Sequence, residues 1–247
     1  AWDTLTEDLD LSYRIQFNGW KIVYNPDLVV PAEIPETISA FKSQQFRWAK
    51  GSIQTAKKIF PALVRFPCPL FQKVQAVFHL THYMVHLLMA TLAILALPAA
   101  FLFELDIPPL LYSALVLVFV FAIFAPSTLY VFSQIAIYDN WLKRILYLPF
   151  LVIFGTGIAV SNSRAVIEGL VGIDSPFIRT PKRGDQVKKT YAIRTMWAVF
   201  FEMGLGLYSL VSLLVYLSLG NYVVGPFLFI YAAGFLTAGF LGLAQKQ

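Results

Sequence analysis

The sequence is poor in cysteine, histidine and charge. Its 247 residues include one cysteine, Cys68, and three histidines, and only 13% are Asp, Glu, Lys or Arg. A lone cysteine excludes a disulfide framework. Soluble globular domains carry about 25% charged residues, so an ordinary water-soluble protein is excluded too. The apolar fraction of 58% and the mean hydropathy of +0.67 agree, and they also exclude a disordered or collagen-like chain. The formal net charge is +5. In so apolar a chain this excess bears on orientation in a membrane rather than on nucleic acid. No signal peptide opens the sequence, which starts Ala1-Trp2-Asp3 and reads as part of something longer.

What charge there is lies unevenly. Residues 1–75 hold nine Lys/Arg and seven Asp/Glu, with prolines at 26, 31, 35, 61, 67 and 69, and read as aqueous. Long uncharged runs follow: Leu80 to Phe103, Ile107 to Tyr138, Ile145 to Ser163, and Met203 to Gln245. A helix needs about 20 apolar residues to cross the hydrocarbon core. The last run is long enough for two crossings, with Gly220-Asn221 and Gly225-Pro226 marking the turn. Of the ten Lys/Arg beyond residue 75, nine fall between Lys143 and Arg194. By the positive-inside rule, residues 1–75, the loops 139–144 and 164–194 and the C-terminus face the cytoplasm. Cytoplasmic-type charge then flanks both ends of Ile145 to Ser163. That run, interrupted by Pro149, Gly155 and Gly157, is expected to be interfacial or re-entrant, although a fifth crossing also fits. The expectation is four spans plus this segment.

In the aqueous part, Thr4 followed by Glu7 matches a helix capping box, and Gly19 is a plausible stop. Asp8 then falls in the first turn, where free N–H groups favour its ionised form and equip it to accept a proton. Glu7, Asp8 and Asp10 read equally well as decoration of a helix N-terminus. Lys21 to Val30 predicts a strand. A helix is expected from about Glu36 to Ile59, with Gly51 as a weak point. On it Gln44, Arg47 and Trp48 share one face. An amide, a guanidinium and an indole together suit a phosphate and a sugar ring. An interfacial helix anchored by Trp48 is the plainer alternative.

His79, His82 and His86 form one stripe at the start of the first run, read as a metal or haem site or, better, as a polar row lining a channel. Glu202, inside the next-to-last span, is expected to face protein, water or sugar, or else to snorkel to the interface. Lys182, Arg183, Lys188 and Lys189 suit a nucleotide or anionic headgroups.

Thr6-Glu7-Asp8, then Gln44-x-x-Arg47-Trp48, then a helical membrane bundle resembles the C-terminal part of a processive family 2 glycosyltransferase of the cellulose synthase and cellulose synthase-like group. Phe177-Ile178-Arg179-Thr180-Pro181-Lys182 is similar to that family's gating loop, with Arg179 where valine is usual. The resemblance implies a mainly α chain, in which the C-terminal fragment of a GT-A-type domain precedes a polytopic bundle. Residues 1–60 would end the cytoplasmic transferase domain, 61–78 connect it at the interface, and 79–247 form the translocation region, with the interfacial segment and gating-type loop at 139–194. It further implies Asp8 as general base, with Thr6, Glu7, Gln44, Arg47 and Trp48 binding substrate. Phe177, Thr180 and Lys182 would form the gating loop. The implied partners are a UDP- or GDP-linked sugar, a growing β-glycan and membrane lipid, with no nucleic acid. A divalent metal, Mg or Mn, is expected in the full-length enzyme, at a site outside this chain. A non-processive lipid glycosyltransferase and a non-catalytic transporter or channel module are the competing readings.

Overall fold

A computed structural model describes residues 3–25, 27–35, 37–102, 108–177 and 196–244. Ten helices follow one another in these segments, and among the described residues there is no strand. The first, α1 (Glu7–Phe17), carries Glu7, Asp8 and Asp10 in its opening turn and Arg14 in its last, charges that complement the helix dipole. Thr6, not Thr4, is its N-cap, and no side-chain capping bond forms there. The chain leaves α1 through Gly19 at φ +86°. Residues 20–25 and 27–34 form neither helix nor strand and are exposed, and Pro35 is half-buried. Lys21 to Val30 therefore has strand-like composition without strand pairing. A strand is stabilised by its neighbours, and none of the described residues offers a sheet edge.

Helix α2 (Ile38–Arg65) is capped by Thr37, whose hydroxyl accepts the Ala40 N–H at 3.2 Å. It passes through Pro61 and ends about a turn and a half beyond the expected Ile59. Proline costs the helix one hydrogen bond, but here Ile59 and Leu63 on either side of it are buried against Tyr13 and Leu80. This cluster joins α1, α2 and α3 (Leu70–Thr81). After a break at His82-Tyr83 comes α4 (Met84–Leu102).

Helix α5 (Pro109–Ile137) contains Pro126, and α6 (Trp141–Ile145) is its main packing partner. Next come α7 (Leu148–Gly157) and α8 (Ala159–Val171), with a 48° bend between the unit Trp141–Gly157 and α8. Gly172, at φ +87°, closes α8 by donating its N–H to the Glu168 carbonyl. Helices α9 (Met196–Ser218) and α10 (Gly225–Ala244) form the final hairpin.

Among the described residues, α4, α9 and α10 are long and apolar enough to cross a membrane, and the bent unit is a fourth if its two arms make one span. The bundle core joins Ala93 of α4, Ala159 and Val160 of α8, Leu205 of α9 and Phe235 of α10. Small residues let the backbones touch. A Cβ on Gly157 would lie 2.6 Å from the Gly234 carbonyl oxygen, and one on Gly234 would lie 2.8 Å from that of Ile153. Gly157 is thus a contact point between α7 and α10, whereas a Cβ on Gly155 would meet nothing within 4 Å.

Candidate active site

Thr6, Glu7 and Asp8 form the turn that starts α1. Thr6 is buried, and its hydroxyl lies 3.2 Å from that of Thr55 on α2. One residue earlier, the Leu5 N–H donates to Gln54 Oε1 at 3.2 Å. The close approach is possible because α2 has no side chain at Gly51: a Cβ there would sit 2.6 Å from Thr6 Cγ2 and 2.8 Å from its backbone nitrogen. Gly51, read from the sequence as a weak point, is the seat of the turn. A glycine three residues after Trp48 in a helix of 28 residues was the available signal.

Glu7 and Asp8 are exposed. Asp8 Oδ1 accepts the Leu9 N–H at 2.8 Å, and its main-chain carbonyl accepts the Ser12 hydroxyl at 2.7 Å. Asp10 has a different environment. Fully buried, it forms ion pairs with Arg14 at 3.0 Å and with Lys58 at 3.2 Å. Lys58 also reaches Asp3 at 2.8 Å, and this hydrogen bond raises the lysine pKa and lowers that of Asp3. The turn therefore presents Asp8 to solvent and uses Asp10 as a strut.

Trp48 lies one turn before Gly51 on the stripe that continues to Thr55, so Thr6 packs on the side of α2 that bears the indole. Trp48 is 40% exposed. The Arg47 guanidinium lies 4.6 Å from the centroid of the Phe177 ring, and its buried Nε has no hydrogen-bond partner among the described residues. Gln44 is half-buried one turn earlier. Phe177 is the described member of the gating-type motif, and Thr180 and Lys182 lie outside the described residues, as do Arg183, Lys188 and Lys189.

The three histidines do not share one helix. His79 belongs to α3, His82 caps it and His86 belongs to α4. The unbroken apolar run hid this interruption between two helices. His79 Nδ1 lies 2.9 Å from the Tyr13 hydroxyl, and the rings of His79, His82, Tyr83 and His86 follow one another in contact. Desolvation, with a smaller contribution from His82, pushes the His79 pKa below its ordinary value. No three His, Cys, Asp or Glu among the described residues are arranged to hold a metal ion.

Two ion pairs that no motif announces connect α2 to the bundle. Lys42 Nζ binds both carboxylate oxygens of the fully buried Glu202, at 2.7 and 2.6 Å, and the Ala238 carbonyl at 3.3 Å. Glu202 thus faces protein. Lys50, also fully buried, donates to Glu168 at 2.9 Å and to the Ser175 hydroxyl. Partners 160 and 118 residues apart leave no local trace in a sequence.

A family model described as Glycosyl transferase family group 2 matches residues 1–133, more than half of the chain. Glucomannan 4-beta-mannosyltransferase 7 of Arabidopsis thaliana is 29% identical over 192 residues, covering 75% of this chain and 32% of that protein. Probable glucomannan 4-beta-mannosyltransferase 1 of the same plant is 28% identical over 254 residues, covering 96% and 43%. Probable glucomannan 4-beta-mannosyltransferase 9 of Oryza sativa subsp. japonica is 28% identical over 192 residues, covering 75% and 34%. The chain spans about a third to a half of the length of the curated relatives it matches. No solved structure matches it.

Proposed function

Because the chain belongs to glycosyl transferase family group 2, we propose that it supplies the acceptor side and the membrane region of an inverting β-glycosyltransferase. That enzyme elongates a polysaccharide from a nucleotide sugar and passes it across the membrane. The observation that carries this reading is the seating of the Thr6–Asp8 turn on Gly51 and Thr55, on the side of α2 that bears Trp48. An exposed carboxylate, a guanidinium whose Nε has no partner among the described residues and a part-exposed indole then belong to adjoining turns of two packed helices.

In the proposed reaction, Asp8 accepts the proton of an acceptor hydroxyl as that oxygen bonds to the anomeric carbon. The bond from that carbon to the diphosphate oxygen breaks on the opposite face, and the diphosphate leaves with the electron pair. Displacement from the back converts an α-linked donor into a β-linked product. Arg47 offsets charge growing on the leaving group, with Gln44 beside it. Trp48 stacks on the acceptor ring, whose axial C–H bonds suit an aromatic face. Thr6 and Glu7 hold the Asp8 turn at the substrate, and Phe177, Thr180 and Lys182 border the nucleotide. The divalent cation is assigned to residues outside this chain.

The names of the relatives favour a mannosyl donor, with glucosyl as the second candidate. Residues 1–75 and the C-terminus lie on the cytoplasmic side, following the positive charge. The test is to supply the full-length enzyme in membranes with GDP-mannose or UDP-glucose and to size and digest the product. A long β-linked polymer from one donor is expected. A single sugar added to lipid would replace this reading by a non-processive transferase. Consumption of neither donor would replace it by a module without catalysis.

A further inference from the structure

We infer that Glu168 is a positioning residue for Arg47, acting through Lys50, Ser175 and Phe177. The inference rests on the reading above, in which Arg47 meets the diphosphate of the donor.

Gly172 adopts a left-handed φ of +87° and ends α8. The Ile173 N–H also donates to the Glu168 carbonyl, at 2.9 Å, and residues 173–177 then meet α2 at two points. Lys50 donates to the Ser175 hydroxyl, and two residues later the Phe177 ring lies under the Arg47 guanidinium. Arg47 and Lys50 stand three residues apart on α2 and are neighbours on its surface. Ser175 and Phe177 stand two apart, and each contacts one of those two side chains. The spacing on each partner therefore matches the other, and Phe177 reaches Arg47 because Ser175 is tied to Lys50.

What fixes Lys50 is Glu168. Its Oε2 takes the ammonium at 2.9 Å, while its Oε1 is occupied by Arg164 at 2.7 Å. The Arg164 guanidinium in turn lies 5.7 Å from the Phe46 ring centroid and 5.4 Å from that of Trp197. The carboxylate is thus held from both sides and presents one oxygen to a lysine with no exposed surface. An arginine held through its π-face keeps its N–H edge for an anion. The buried Nε of Arg47, without a partner among the described residues, belongs to that edge.

The test is direct binding of GDP and of UDP to the purified full-length enzyme in detergent, comparing wild type with Ser175→Ala, Glu168→Gln, Arg47→Ala and the Ser175→Ala/Arg47→Ala double variant. Ser175→Ala keeps the Lys50–Glu168 pair and cuts only the tether, so it remains informative if Glu168→Gln folds poorly. The expected result is about threefold to tenfold weaker nucleotide binding in Ser175→Ala, the size of one lost hydrogen bond. Glu168→Gln should weaken it at least as much, and Ser175→Ala should add nothing once Arg47 is gone. Effects of Ser175→Ala and Arg47→Ala that simply add, or Ser175→Ala binding like wild type, overturn the inference and leave the proposed function standing. A wild-type enzyme that binds neither nucleotide overturns both.

Discussion

The two halves of α2 use the same device in different surroundings. Lysines recur every eight residues, at 42, 50 and 58, and each meets a carboxylate from a different helix: Glu202 of α9, Glu168 of α8 and Asp10 of α1. In the first half Glu202 and Lys50 are fully buried, and their partners Lys42 and Glu168 keep only 15% and 12% of their side-chain surface exposed. In the second half Lys58 is 30% exposed and shared between Asp10 and Asp3. The comparison teaches that α2 is tied to α8 and α9 by buried pairs in its first half and to α1 by a part-exposed pair in its second. Arg47 and Trp48 of the candidate site lie between the two buried pairs, and Gly51 directly follows Lys50.

The sharpest way to break the comparison is at its buried end. Glu202→Gln leaves the Lys42 ammonium without its counter-charge, and removing one member of a buried pair costs about 3–5 kcal/mol. Thermal unfolding of the detergent-solubilised enzyme should record the loss. The reversed pair Lys42→Glu/Glu202→Lys should recover part of it, and no recovery would mean that the pairing is incidental. Next in size is the joint between α1 and α2. Gly51→Ala forces a methyl group onto the Thr6 backbone and should cost about 1–3 kcal/mol as overpacking, together with transfer activity. Gly204→Ala on α9, where a Cβ would meet nothing within 4 Å, serves as the control and should change little.

The smallest effect belongs to the aqueous end. His79 has its folded pKa below the unfolded value, so the unfolded chain takes up a proton that the fold resists. Its contribution is therefore intact above the unfolded pKa of about 6.5 and declines as pH falls below it. Hydrogen-exchange protection factors in α1 and α3, corrected for the intrinsic pH dependence of amide exchange, should fall as pH is lowered from about 7 to about 5, and His79→Gln should flatten that dependence. Equal pH response in α9 and α10 would erase the difference between the two regions.

The sequence made several of these features readable because they are local. A face holding Gln44, Arg47 and Trp48 follows from helical period alone, and the α9–α10 hairpin follows from hydropathy and the glycine turn, where Gly220 has φ +73°. Other features depend on distant partners. Lys21 to Val30 has strand-forming residues but no edge to pair with among the described residues. The helix passed through Pro61 because Ile59 and Leu63 are buried by α1 and α3. The role of Gly51 appears only once Thr6 is beside it. Glu202 read alone is a charge inside an apolar run, and only the folded chain brings Lys42 to it.

The account depends on Asp8 working chemically where the neighbouring Asp10 works as a strut. The most direct measurement is glycosyl transfer by the full-length Asp8→Asn enzyme, with its melting temperature and GDP and UDP binding followed in parallel. A general base contributes about 10²- to 10⁴-fold, so transfer should fall by that factor while melting and nucleotide binding stay at wild-type values. Transfer within about tenfold of wild type, or a loss matched by unfolding, would contradict it.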